Sequence, residues 1–283
     1  MRVEFLGTGG ASTIPTPFCD CAVCTEARER GRPYARSGPA TFVHGPDVLI
    51  DTPEEITAQI NRSRVTRIAA CVYSHCHPDH TMGRRFWETN YDWRHYPPQS
   101  RCTDLYIPER VAQDFEAFYN TWGHFRYFEQ SSLVRLHRVP DGESFAVGDT
   151  LITPMALADD HVYAYLFETD GQRVLIAADE LVGWSPPTSL GHLDLAVLPI
   201  GIVEVNPLTG ERYTPEDHPV LSSEATFEQT LEMVRRMDVD RVFMSHIEEP
   251  DQMGYDDLLE LETRLQADGP NITFAYDGLV TDV

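Results

Sequence analysis

Apolar residues along this chain come in short runs, and several of the runs stop on an ionisable side chain. Arg2 to Leu6 alternates polar and apolar, which predicts a strand, and gives way to a turn at Gly7-Thr8-Gly9-Gly10. Thr41 to Val43 and Asp47 to Ile50 predict two strands joined at Gly45-Pro46, the second ending on Asp51. A helix is expected from Pro53 to Asn61, and a buried strand from Ile68 to Tyr73. Asp104 to Ile107 predicts a strand, and Pro108 a helix start, with the helix running to about Trp122. Short β segments follow from Leu133 to Val174, with turns at Asp141-Gly142, Gly148-Asp149 and Asp170-Gly171. Leu175 to Ala178 ends on Asp179, Leu193 to Ile200 is a further buried strand, and 201–221 is a long loop. Glu224 to Arg236 has helical periodicity with Ser222 or Ser223 as cap; Arg241 to Met244 is a strand running onto Ser245-His246. A helix from Tyr255 to Leu265 and a strand from Ile272 to Ala275 complete the chain. No repeat or linker divides it, so residues 1–283 are expected to form one domain, with two sheets between helical layers.

The strand ends carry the candidate chemistry. Ser74-His75-Cys76-His77-Pro78-Asp79-His80 places three imidazoles and a carboxylate in six positions, in a chain with 11 His among 283 residues. Imidazole is the commonest protein ligand for divalent metals, and aspartate adds an anionic oxygen. Asp51, Asp179 and His246 also follow apolar runs, and His161 follows Leu151 to Leu157 after a short acidic stretch. A second cluster, Cys19-Asp20-Cys21-Ala22-Val23-Cys24, offers three thiolates at the end of a proline-containing loop, just before a short helix from Thr25 to Arg30. In a chain expected to be cytoplasmic, disulfides are not the first reading, and thiols at this spacing point to structural zinc. Residues 81–103 hold Arg84, Arg85, Trp87, Tyr91, Trp93 and Tyr96, an aromatic and basic content suited to a substrate loop. Arg84 and Arg85 themselves are expected on a solvated helix face.

Charge narrows the partners. The 22 basic residues are all Arg, 45 residues are acidic, and the net charge is −23. Such a field repels nucleic-acid backbones, yet a small anion held at metal ions remains compatible with it. No apolar run reaches the length of a membrane span, and a cytoplasmic location is expected.

His-x-His-x-Asp-His at 75–80, with Asp51, His161, Asp179 and His246 in that order, resembles the metallo-β-lactamase superfamily of αββα hydrolases over nearly the whole chain. The resemblance implies a four-layer sandwich and two divalent ions, Zn or Mn. His75, His77 and His161 would hold one ion, and Asp79, His80 and His246 the other. Asp179 would bridge the two, and Asp51 would orient a ligand histidine. A hydroxide bridging two ions about 3.5–4 Å apart would be the nucleophile. The start Phe5-Leu6-Gly7-Thr8-Gly9-Gly10 and the Cys loop resemble the phosphoribosyl cyclic phosphodiesterases of phosphonate breakdown. There a histidine three residues after the last active-site histidine completes the structural zinc; here Glu249 stands at that position, implying Cys19, Cys21, Cys24 and Glu249 as the ligand set, with Glu248 or a water as the alternative fourth ligand. His218 is the candidate for the family's additional histidine, a general acid or phosphate ligand. The implied function is a phosphodiesterase acting on a small cyclic phosphate or nucleotide-like ester. A tRNA 3′-processing endonuclease and a lactonase- or thioesterase-type hydrolase are the alternatives. The expected partner is a small phosphoester, with a second copy of the chain as a candidate and nucleic acid disfavoured.

Overall fold

The computed structural model describes residues 1–89, 94–95, 102–158 and 161–283. Six strands of the first half hydrogen-bond in chain order: β1 (Arg2–Gly7), β2 (Ala40–His44), β3 (Val48–Ile50), β4 (Ala70–Val72), β5 (Thr103–Pro108) and β6 (Val134–Val139). A second sheet, again in chain order, contains β7 (Phe145–Val147), β8 (Thr150–Ala156), β9 (Tyr163–Thr169), β10 (Gln172–Ala177), β11 (Leu195–Pro199), β12 (Val242–Ser245) and β13 (Ile272–Phe274). The last strand, β14 (Val280–Asp282), crosses back and pairs antiparallel with β1.

Each sheet is antiparallel at one side and parallel at the other. β3 to β6 are parallel neighbours in one sheet, and β10 to β13 in the other. Parallel pairs need crossovers, and helices supply them. After α1 (Ala22–Arg30) in the β1–β2 connection, α2 (Ile56–Arg62) joins β3 to β4. Two short helices, α3 (Pro78–Thr81) and α4 (Phe86–Thr89), follow β4, while α5 (Glu109–Ala117) and α6 (Thr121–Gln130) join β5 to β6. α7 (Phe227–Arg236) and α8 (Tyr255–Asp268) carry the chain from β11 to β12 and from β12 to β13.

Strand periodicity explains the layering. In β9 and β10, Tyr165, Phe167, Val174 and Ile176 face the first sheet and pack with Phe5, Phe42 and Val72. Their neighbours Ala164, Leu166, Leu175 and Ala177 face the other way, into a core shared with Leu231 and Val234 of α7 and Leu258 and Leu261 of α8. Strands covered on both faces read as continuous apolar runs, which is why β11 (Leu-Ala-Val-Leu-Pro) is buried throughout. The two mixed sheets, flanked by helices, form the expected α/β sandwich.

Several expected elements differ. The helix predicted from Pro108 to Trp122 is two helices, α5 and α6, broken where Tyr119 and Asn120 take left-handed backbone conformations (φ 56° and 50°). Asparagine tolerates that conformation better than most residues, but a lone Asn carries little signal. α7 begins at Phe227, capped by Thr226, whose side chain accepts from Gln229 N while the Gln229 side chain accepts from Thr226 N. This capping box outcompetes the serines at 222 and 223. Arg84 is buried at 8% exposure, its guanidinium donating to the Thr81 and Tyr119 carbonyls, so it does not lie on a solvated face. Tyr91, Trp93 and Tyr96 lie outside the described residues. No helix among the described residues is long and apolar enough to cross a membrane.

Candidate metal centre

The carboxyl ends of parallel strands from both sheets open onto one rim, where α/β folds gather ligand-binding residues. Ile50 of β3 pairs with Val72 of β4, so Asp51 and the segment from Tyr73 leave the first sheet together. Asp179 follows β10, and His246 follows β12. The sheets are pinned together at this end. Tyr163 N donates to the Ser74 carbonyl (3.0 Å), and the Tyr165 hydroxyl donates to the Tyr73 carbonyl (2.6 Å). Asp51 and His246 both hold positive φ (63° and 56°), a costly conformation for side-chain-bearing residues, at the bends where they turn toward the rim.

Two groups of donors result. One atom from each of His75, His77 and Asp179 lies within 4.8 Å of the others, and the same holds for Asp79, His80 and His246. Asp179 also joins the groups: its Oδ2 is 3.3 Å from His75 Nε2 and 3.5 Å from His80 Nε2, and its Oδ1 is 3.5 Å from His246 Nε2. His161 stands at the edge of the first group, its ring centre 5.9 Å from that of His77 and 6.4 Å from that of His75. Nε2 of His75, His80 and His246 is buried and makes no hydrogen bond among the described residues. Buried imidazole nitrogens are normally satisfied, so three of them converging on two aspartates form a donor set that fits divalent cations.

Asp51 supports this set from behind. Its Oδ2 accepts from His80 Nδ1 (2.8 Å) and Ser74 Oγ (2.6 Å), and its Oδ1 accepts from Ser74 N (2.8 Å). Carboxylate hydrogen bonds to Nδ1 leave Nε2 of His80 as the free donor atom. Ser74, not singled out in the sequence, also reaches His75 Nδ1 at 3.0 Å.

The two groups differ electrostatically. Burial, reinforced by the neighbouring His80, lowers the His75 pKa to about 4. Burial also disfavours charge on His246, but Asp179 and Asp79 overcome it and hold the imidazole up to about 10. Asp79 and Asp179 are ionised despite burial, held below the ordinary carboxylate range by His80 and His246. Beside them a cavity of about 20 Å³ is lined by Asp179, Glu180, Glu224, His246, Glu248 and Asp251. Burial and the Asp179 charge push Glu180 and Glu224 up to about 7. Glu180 had a sequence signal, adjacent to a strand-ending aspartate; Glu224, at the end of a long loop, had none.

The structure also brings Cys19, Cys21, Cys24 and Glu249 together, one donor atom of each within 4.8 Å of the rest. Cys19 and Cys21 thiols donate to Glu249 Oε1, each at 3.3 Å, and Gln252 Nε2 donates to the same oxygen at 2.8 Å. Cys21 is the N-cap of α1 and Cys24 lies in its first turn, so the third thiol sits on a helix, not on the loop expected. His218 is exposed on the turn before Pro219–Ser222, its Nδ1 accepting from Val220 N at 3.2 Å.

Solved structures with this architecture include a diphosphatase of the PhnP family (23% identity, 99% of this chain, 97% of that chain, TM-score 0.72). Zn²⁺-bound PqqB from Methylobacterium extorquens matches over 100% of both chains (16% identity, TM-score 0.74). The short form of human tRNase Z matches over 100% of this chain and 99% of its own (14% identity, TM-score 0.63). No curated protein sequence matches the chain. The sequence profile of the β-lactamase superfamily domain covers residues 46–247, from β3 through the last histidine of the rim. Carrying that profile, the two-sheet sandwich and the His/Asp rim, the chain belongs to the metallo-β-lactamase superfamily.

Proposed function

We propose that this chain is a dinuclear-metal hydrolase of the PhnP-like branch, acting on a small phosphodiester such as a cyclic phosphate or nucleotide-like ester. The observation that carries the reading is the convergence on Asp79 and Asp179 of three buried imidazole nitrogens that make no hydrogen bond among the described residues. His75, His77 and His161 would hold one divalent ion and Asp79, His80 and His246 the other, with Asp179 available as a ligand to both. When bound, the two ions supply an activated water and positive charge for the developing oxyanion.

The chain's own residues set what reaches that centre. Glu180 and Glu224 at the adjacent cavity, once ionised above their shifted range, oppose a second negative charge on the substrate. That favours a singly charged diester over a doubly charged monoester. His218 is the proton donor to the leaving group. Its Nδ1 accepts a backbone N–H from Val220, which leaves Nε2 as the ring nitrogen through which a proton would pass to the leaving group. The Cys19, Cys21, Cys24 and Glu249 group holds a structural zinc that ties α1 to the segment after His246, with Gln252 orienting Glu249. Similarity to the PhnP-family diphosphatase supports the phosphoester class, while the charge of −23 weighs against a tRNA substrate.

The test is a substrate panel with Zn²⁺- and Mn²⁺-loaded protein: a model aryl phosphodiester, cyclic phosphates, a precursor tRNA and a lactone. Diester turnover that disappears with a chelator and falls at least tenfold in His218→Asn is expected. Lactone hydrolysis faster by orders of magnitude, or no diester turnover in protein shown to hold metal, overturns the assignment.

A further inference from the structure

The loop that presses Gly10 against His246 continues into Thr13-Ile14-Pro15, which borders a second groove of about 280 Å³. No residue of the His/Asp rim lines it. Three guanidinium groups, Arg32, Arg36 and Arg62, face two carboxylates there, Glu55 and Asp277. In a chain of charge −23 this is a local excess of positive charge.

The hydrogen bonds show which groups are already engaged. Asp277 accepts from Thr8 N and Oγ1 (both 2.9 Å), Ser37 N (3.0 Å), Ser37 Oγ (2.6 Å) and Arg62 Nη2 (2.7 Å). Its capacity is therefore filled, and Arg62 is held by it. Arg36 is only 2% exposed; its Nη1 donates to Thr8 Oγ1 (2.9 Å) and the Ala275 carbonyl (2.5 Å). Arg36 Nη2 is buried and has no partner among the described residues, and neither has Glu55 Oε2. Arg32 is exposed at the groove. One buried cationic donor and one buried anionic acceptor, on two residues that line the same groove, thus lack a partner among the described residues, and each costs free energy unless something bonds to it.

A fully deprotonated oxyanion would satisfy Arg36 but be repelled by Glu55. An oxyanion that keeps one proton satisfies both. We propose that this groove binds a protonated phosphoryl group, hydrogen phosphate or the monoanion of a phosphate monoester, independently of the metal centre. Its anionic oxygens accept from Arg36 Nη2 and Arg32, and its P–OH donates to Glu55 Oε2. Sulfate has the same shape but no proton to donate at neutral pH, so Glu55 is the selectivity device.

Calorimetric titration of the metal-loaded protein with inorganic phosphate and with sulfate tests this. Phosphate is expected to bind at least tenfold more tightly than sulfate. Arg32→Ala should weaken phosphate about tenfold, the effect of losing one charge-assisted hydrogen bond. Glu55→Gln should bring sulfate to the affinity of phosphate. Arg36 is left unaltered because a buried guanidinium with two structural bonds also supports the fold. Phosphate affinity unchanged in both variants assigns the binding to the metals and overturns the proposal. Equal affinity of the native protein for sulfate and phosphate, or no phosphate binding, overturns it as well.

Discussion

His75 and His246 bracket the candidate metal centre with opposite protonation. With its pKa at about 4, His75 is a neutral imidazole at pH 7 and ready to bind an ion. His246, held at about 10 by Asp179 and Asp79, carries a proton that an ion must displace. Metal binding to the Asp79, His80 and His246 group should therefore release protons and tighten as pH rises from 6 to 8. Binding to the His75, His77 and Asp179 group should vary less. Competition titrations with a coloured chelator across that range check this; two ions with the same pH slope contradict it. Gly10 is the other single position on which the centre depends. A Cβ there would lie 2.4 Å from His246 Cε1 and 2.6 Å from Glu248 Oε1. Gly10→Ala should leave the fold intact yet displace His246, so elemental analysis should find about one rim ion fewer per chain than in the native protein. Full metal content in the variant would show that the loop yields instead.

Elements, not loops, carry most of the positioning. Asp51, Asp179 and His246 are each fixed by the strand before them, and the two sheets register against each other through Tyr165 and Tyr73. Tyr165→Phe would leave the Tyr73 carbonyl buried without its 2.6 Å donor, next to the start of the His-rich segment. The expected cost is about 1–3 kcal/mol of stability, read from the urea midpoint. A midpoint within error of the native protein would show that another donor replaces the hydroxyl. At this scale the sequence was legible where a strand is buried on both faces, since β10, β11 and β12 appear as apolar runs. It was less legible where a short local contact sets the boundary. The α5–α6 break rests on two left-handed residues, and the α7 start on one reciprocal cap. β14 carries no sequence signal because Val280-Thr281-Asp282 has no strand pattern of its own and is ordered by pairing with β1.

For the whole molecule, charge is the dominant unbalanced quantity. With 45 acidic residues against 22 arginines, self-repulsion opposes the compact state. Raising NaCl from about 0.01 M to about 1 M shortens the screening length from about 30 Å to about 3 Å. The melting temperature of the metal-loaded protein should rise by roughly 5 °C over that range, followed by calorimetry. A fall would mean that favourable ion pairs, such as Arg62 with Asp277, outweigh the repulsion.

The sequence by itself determined the αββα class and the ligand-type residues of the rim, because apolar runs ending on Asp or His are local patterns. It also placed the thiols and Glu249 in view as a set, through resemblance. Only the tertiary structure decided how these groups meet. Residues 79, 179 and 246 approach because the parallel strands of the two sheets end at one rim, a packing outcome no local pattern encodes. The groove of Arg32, Arg36, Arg62 and Glu55 lies beyond sequence reading for the same reason. Its charges are scattered over 31 positions, and their unpaired atoms exist only once burial has removed water from them.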